Sequence, residues 1–97
     1  MHNISTKTHE LKSWPEFFEQ VISNQKTHEL RRADDRVFNV GEHITLREFN
    51  RESEKYTGRE VTAEITYITN TDSPCAYSKE ALDSKFCILS IRLINEN

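Results

Sequence analysis

The sequence has little of what builds membrane spans and phosphate loops. No run approaches the roughly 18 apolar residues needed to cross a bilayer, so no membrane segment is predicted. The first residues lack the apolar stretch of a signal peptide, and we therefore expect a cytoplasmic location. The two glycines, Gly41 and Gly58, lie far apart, which excludes a glycine-rich phosphate-binding loop.

Residues that hold metals are equally scarce. Cys75 and Cys87 are twelve residues apart and form no CxxC pair, and the four histidines show no metal-ligand spacing. A zinc site needs more ligands at closer spacing. We therefore predict two reduced thiols, no metal site and no cofactor.

The length and charge of the chain limit its architecture and its partners. Ninety-seven residues make one domain, with a core over about residues 8–94. The formal net charge of −3 does not favour non-specific coating of nucleic acid, which requires excess Lys and Arg. If RNA is a partner, the protein must bind it through a local basic patch or by holding a single nucleotide. The sequence leaves the oligomeric state open.

A helix is the clearest predicted element, over residues 13–24. Its large apolar residues follow the i, i+3, i+4, i+7 spacing of one face, which predicts that they cover a sheet. Ser13 stands at capping-box spacing before Glu16. Alternatively Trp14 is the cap, because Pro15 disfavours helical geometry at the residue before it. The apolar residues are Trp14, Phe17, Phe18, Val21 and Ile22.

The rest of the chain reads as strands. A helix followed by a run of strands predicts an α+β domain, a curled barrel of about five strands with one main helix near the N-terminus. Residues 50–58 read as a polar loop, and residues 70–85 as a connection holding one helical turn. The predicted strands cover residues 8–12, 27–32, 44–49, 59–69 and 86–94.

Polar residues of the second predicted strand are the main candidate site. Glu29 and Arg31 lie on one face because side chains alternate along a strand, and Lys26 precedes them. In one interpretation Glu29 accepts from a base amino group while Arg31 and Lys26 hold phosphate. In the other, Glu29 and Arg31 form an internal salt bridge that fixes the register of the barrel.

Four further residues are weaker candidates for the same site. Lys12 closes the first strand beside the helix, and Trp14 stands at the mouth of that helix. Arg36 lies in a turn, and Arg59 follows the Thr57-Gly58 pair. If these cations converge, they form a basic patch that the net charge conceals.

Six segments in a fixed order carry a resemblance to a known family. They are His9-Glu10-Leu11-Lys12, Trp14-Pro15-Glu16-Phe17-Phe18, Lys26-Thr27-His28-Glu29-Leu30-Arg31, Asp35-Arg36-Val37-Phe38-Asn39-Val40-Gly41, Leu46-Arg47-Glu48-Phe49 and Tyr56-Thr57-Gly58-Arg59-Glu60. The series resembles the small stand-alone ASCH-type domains of the PUA-like superfamily, many of them from bacteria and phages. The resemblance implies a PUA-like pseudobarrel whose cleft beside the helix binds RNA or a nucleotide.

The same resemblance leaves a catalytic function open. Some small relatives hydrolyse acetylcytidine with a Lys, Thr and Glu set, and others act as ribonucleases. Lys26 and Thr27 match the amidohydrolase pattern Lys-Thr-x-Thr, but Glu29 stands where that pattern has its second Thr. The alternative function is therefore a small hydrolase of RNA or a modified nucleoside, with Lys26 activating a nucleophile or polarising a carbonyl and Glu29 as general base.

Overall fold

A computed structural model describes residues 7–72 and 75–94 as a mostly-β half-barrel. Its strands are Thr8–Ser13 (β1), His28–Arg32 (β2), His43–Asn50 (β3), Lys55–Thr69 (β4) and Phe86–Leu93 (β5), and its helices are Pro15–Ile22 (α1) and Ser78–Ala81 (α2). The strand order is β1-β3-β4-β5-β2, with β1 and β3 parallel and the other neighbours antiparallel. The five predicted strands, the N-terminal helix and the helical turn near its predicted place are confirmed.

The two edges of the sheet come close to each other. β1 and β2 stand at opposite ends of the strand order, yet the Nη2 of Arg31 on β2 donates to the carbonyl oxygen of Lys12 on β1 at 2.8 Å. A side chain, rather than a ladder of backbone hydrogen bonds, joins the edges at this point. The half-barrel therefore has a seam between β1 and β2, and the start of α1 lies at one end of it.

The core fills the concave side of the sheet. Alternation places Ile44 and Leu46 of β3 inward, and Cys87, Leu89 and Ile91 of β5 belong to the same core. Each large aliphatic side chain that is fully buried contributes about 1.5–3 kcal/mol by leaving water. The inward face also carries two buried carboxylates, on Glu29 and Glu48.

Helix α1 begins later than the capping box requires. Ser13 is the last residue of β1, so the predicted capping box is wrong. The alternative is confirmed: Trp14, at φ −70° and ψ 150°, is the N-cap, because a residue before proline avoids helical geometry. Phe18 and Val21 are buried, but Phe17 is 45% exposed, which corrects its predicted place in the core. Asn24 ends the helix in the left-handed region, at φ 64°.

Strand β4 is longer than its sequence indicates. It begins at Lys55, so the predicted polar loop shrinks to residues 51–54. Tyr56 pairs with Phe49 across the β3–β4 hairpin, and an irregularity in the ladder follows, between Arg47 and Phe49. The start of β4 escapes prediction because its first six residues are exposed, so it shows no alternation of apolar and polar side chains.

A bulge in β4 also reverses which side chains face the core. The register with β5 shifts between Ile65 and Tyr67. Regular alternation would place Tyr67 on the same face as Ile65, but Tyr67 is 56% exposed, while Ile68 packs against the core. One extra residue in a strand moves each later side chain to the opposite face.

Neither described helix has the length and apolar character that a membrane crossing needs.

Candidate ligand-binding cleft

A cleft of about 460 Å³ lies at the seam between β1 and β2, beside the start of α1. Its volume falls in the range typical of small-molecule sites, about 300–1,000 Å³. The described residues that line it are Lys12, Ser13, Trp14, Phe17, Lys26, His28, Glu29, Leu30 and Arg31.

Glu29 forms the charged centre of the cleft. Its carboxylate is almost completely buried, and two cations bind it. Lys26 Nζ donates to Oε2 at 2.9 Å, while Nε and Nη2 of Arg31 donate to Oε1 at 3.1 and 2.8 Å. The three side chains carry one formal positive charge in excess, which favours an anionic ligand.

Both cations keep hydrogen-bond donors in reserve. Lys26 Nζ has three donors and uses two, on Glu29 and on the carbonyl oxygen of His28 at 2.6 Å. The Nη1 of Arg31 makes no hydrogen bond to any described residue, since Nε and Nη2 make all those of its guanidinium. Glu29 Oε2 accepts one bond, from Lys26, and an sp² oxygen can accept two. The cleft therefore offers a ligand both donors and an acceptor.

An aromatic wall lines the same cleft as these charges. The rings of Trp14 and Phe17 lie 5.9 Å apart at an interplanar angle of 26°, and both are more than 40% exposed. Leu30 adds exposed apolar surface to the same cleft. A planar ring can stack on such a wall while its polar edge reaches the charged centre.

The family comparison covers every residue of this cleft. A family model described as a domain of unknown function, DUF3850, matches residues 8–91. The chain belongs to the DUF3850 family. No curated protein matches the chain. The description of the DUF3850 family carries no activity, so a function has to be argued from the chemistry of the cleft.

Five of the seven predicted site residues meet in this DUF3850 cleft: Lys12, Trp14, Lys26, Glu29 and Arg31. Lys12 contributes differently from the prediction, which assigned a role to its charge. Its carbonyl oxygen accepts from Arg31, whereas its ammonium lies over the ring of Phe49, 4.2 Å from the centroid.

Arg36 lies elsewhere. Its guanidinium stands 5.9 Å from the ring centroid of Phe38, beside a separate cavity of about 200 Å³. The structure therefore does not bring Arg36 to the charged centre at Glu29.

Arg59 belongs to a second ionic cluster. Its Nε and Nη2 donate to the two oxygens of the buried Glu48 at 2.9 and 3.0 Å, and Nη2 also contacts Glu19 of α1. The bonds from Arg59, with one from Thr57, hold the pKa of Glu48 below its usual value. Arg59 thus ties α1 to the sheet and does not line the cleft.

Sequence reasoning missed Ser13, Phe17, His28 and Leu30 as lining residues. Phe17 was predicted in the core because its helical spacing matches that of Phe18 and Val21. Its position three residues after Trp14 is the available signal, because residues i and i+3 are neighbours on a helix surface.

Other concave regions offer less chemistry. The wider depression, about 690 Å³, has no aromatic residue among its described lining residues, and its Arg92 is already paired with Glu64. Within residues 7–72 and 75–94, no three His, Cys, Asp or Glu side chains come together as metal ligands.

Proposed function

We propose that the chain is a cytoplasmic RNA- or nucleotide-binding module of PUA-like, ASCH-type fold, and that the ligand occupies the cleft at the β1–β2 seam. One observation carries the proposal. A buried carboxylate with an open lone pair stands between two cations that have donors to spare, in a cleft that also holds an exposed aromatic wall. A nucleotide supplies the complementary groups: a planar ring, an edge with an amino group, and a phosphate.

Each part of the nucleotide has a partner in the cleft. The base stacks on Trp14 and Phe17, since aromatic side chains are the usual platform for an unpaired base. Its exocyclic amino group donates to Oε2 of Glu29. The phosphate accepts from Lys26 and from Nη1 of Arg31, because a guanidinium matches the geometry of a phosphate.

The salt-bridge interpretation of Glu29 and Arg31 is compatible with this function. Arg31 does join β2 to β1, through Lys12, and so has a structural role. Arg59 binds Glu48 through the same two nitrogens, Nε and Nη2, and its Nη1 likewise makes no hydrogen bond to a described residue. What distinguishes Arg31 is its place, because it lines a cleft that also holds an exposed aromatic wall.

The geometry favours binding over hydrolysis. A hydrolase that uses a Ser, Thr or Cys nucleophile needs that group within hydrogen-bond reach of its base. Among the described residues, no hydroxyl or thiol makes a hydrogen bond to Glu29 or Lys26. Ser13 carries the one hydroxyl group among the described residues that line the cleft. Its Oγ is buried and makes no hydrogen bond to a described residue.

Binding of the purified protein to single nucleotides, single-stranded RNA and duplex RNA, each at two salt concentrations, tests the proposal. Arg31→Ala should weaken binding at least about tenfold, because it removes charge-assisted hydrogen bonds to phosphate. The control is Arg32→Ala, which removes the same charge from the same strand. Arg32 is exposed and contacts Asp34 and Phe86 rather than the cleft.

The control variant should bind within about twofold of the parent, and binding should weaken as salt rises. If no nucleotide or RNA binds, or if Arg31→Ala binds as well as Arg32→Ala with both variants folded, the proposed function is wrong.

A further inference from the structure

Three cations lie over three aromatic rings in a region that runs from the outward face of β1, β3 and β4 to the start of α1, at the border of the cleft. Lys12 lies 4.2 Å from the ring centroid of Phe49, and Arg47 lies 4.0 Å from that of Tyr56. Arg51 lies 4.2 Å from the ring centroid of Trp14. We call Lys12, Trp14, Arg47, Phe49, Arg51 and Tyr56 the cation–aromatic strip.

The sequence builds this strip by alternation. On β3, Ile44, Leu46 and Glu48 are buried, so Arg47 and Phe49 point outward. Arg51 lies just beyond the strand, in the β3–β4 turn, where it contacts Glu16 and Trp14 at the start of α1. On β1, Lys12 alternates with the buried Leu11 and Ser13 in the same way. Tyr56 of β4 is paired with Phe49, and their rings meet edge to face at 5.2 Å.

The strip is continuous with the cleft. Trp14 belongs to both, since its ring forms the aromatic wall and also carries Arg51. Lys12 links them again, because its carbonyl oxygen accepts from Arg31 while its ammonium lies over Phe49. The part of the strip on β3, from Arg47 to the end of the strand at Asn50, is about 10 Å long at 3.3 Å per residue, which spans about three stacked nucleotides.

The charges of the strip are available to phosphate. Lys12 makes no ion pair within the described part of the chain. Arg47 stands 3.8 Å from Glu10 and 3.7 Å from Glu60, longer than a good hydrogen bond. Arg51 is paired with Glu16 at 2.7 Å, but both side chains are about half exposed. Exposed ion pairs of this kind contribute little, so a phosphate competes with them readily.

We infer that the cation–aromatic strip binds single-stranded nucleic acid that continues beyond the nucleotide held in the cleft. The inference rests on the proposed function, because the cleft sets where the strand begins. Bases stack on aromatic rings and on guanidinium planes, while interleaved cations contact the phosphates. The strip contains no aliphatic side chain to anchor a protein partner, and its cations lie directly over its rings.

The test compares nucleoside monophosphates with single-stranded RNA of four nucleotides, for each of the four bases. The parent should bind its preferred tetranucleotide more tightly than the corresponding monophosphate. Tyr56→Ala should reduce affinity for the tetranucleotide on the order of tenfold and leave affinity for the monophosphate unchanged. Arg47→Gln should lower the salt dependence of tetranucleotide binding by about one phosphate contact.

Matched controls come from the same sheet. Tyr67 is an exposed tyrosine of β4 on the far side of its bulge, and Arg92 is an exposed arginine of β5. Tyr67→Ala and Arg92→Gln should leave both affinities unchanged. Melting temperatures establish that all four variants are folded.

The outcomes separate this inference from the function on which it rests. If the monophosphate binds through Arg31 but the tetranucleotide binds no more tightly, the strip is not a binding surface and the cleft remains one. If Tyr56→Ala behaves like Tyr67→Ala, the inference is likewise overturned. If the tetranucleotide binds through Tyr56 while Arg31→Ala has no effect, the strip stands and the cleft assignment fails.

Discussion

Two buried carboxylates, Glu29 and Glu48, differ in what surrounds them rather than in what holds them. Each side chain is about 5% exposed, and each accepts from the Nε and Nη2 of one arginine. Glu29 borders a cleft with an aromatic wall. Glu48 is not among the described residues that line the three cavities of about 690, 460 and 200 Å³. A buried Arg–Glu pair is therefore not evidence of a site until the space beside it is known.

The Glu48 cluster has the features of a structural joint. Thr57 Oγ1 donates to Glu48 Oε1 at 2.7 Å, and Arg59 occupies both carboxylate oxygens. The guanidinium of Arg59 also lies 5.0 Å from the ring centroid of Phe18, on α1. These contacts fix the helix on the sheet, whereas the Glu29 cluster lines the cleft beside Trp14 and Phe17.

The largest contrast should appear in thermal stability. Arg59→Ala leaves the buried Glu48 with Thr57 as its remaining partner, and we expect the melting temperature to fall by about 10 °C. Arg31→Ala should lower it less, because Lys26 still pairs with Glu29 at the edge of the cleft. Thermal unfolding followed by circular dichroism measures both.

A double variant shows whether the unpaired charge is the cause. Arg59→Ala with Glu48→Met removes the charge together with its partner and should recover much of the lost stability. If Arg31→Ala is more destabilising than Arg59→Ala, the assignment of the Glu48 cluster as the structural joint and of the Glu29 cluster as the binding site is contradicted.

A smaller effect should appear in acid. The hydrogen bonds from Arg59 and Thr57 keep the pKa of Glu48 below its unfolded value of 4.5. A lowered pKa in the folded state contributes stability that is present above 4.5 and lost as the pH falls through the folded pKa. The melting temperature should therefore decline below about pH 4.5, and less steeply in Glu48→Gln than in the parent.

Glu42 adds a second contribution of the same sign. Its bond to the buried His9 at 2.7 Å, with others from Asn39, also lowers its pKa. Glu42→Gln provides a control for the acid titration, since it should remove only its own share of the decline. Equal pH dependence in the parent and in Glu48→Gln would contradict the role given to the Glu48 cluster.

Local rules predicted the elements and part of the cleft. Period-2 alternation in residues 27–32 placed Glu29 and Arg31 on one face, where the structure has both in contact. The same rule, applied to β1, already points Lys12 away from Leu11 and therefore outward. Lys12 was chosen as a candidate because it lies next to the helix. That position explains why its carbonyl oxygen reaches Arg31 at the cleft, but its ammonium group lies elsewhere, over Phe49.

Long-range partners could not be predicted in this way. Arg59 contacts Glu19, forty residues away in the chain, and no local sequence pattern predicts that contact. The shift of Tyr67 to the surface depends on a bulge, which the sequence of β4 does not mark. Residues 55–58 read as loop because the strand they form is exposed on both faces.

A single titration compares the two arginines most directly. In proton–nitrogen NMR spectra each arginine Nε–H gives its own signal, so Arg31 and Arg59 can be followed together as a nucleoside monophosphate is added. We expect the Arg31 signal, and the backbone amides of residues 26–31, to move with ligand concentration while the Arg59 signal stays in place. A signal from Arg59 that moves while Arg31 remains unchanged, or no movement of either signal with any of the four monophosphates, would contradict the assignment of Glu29 as the site and Glu48 as the joint.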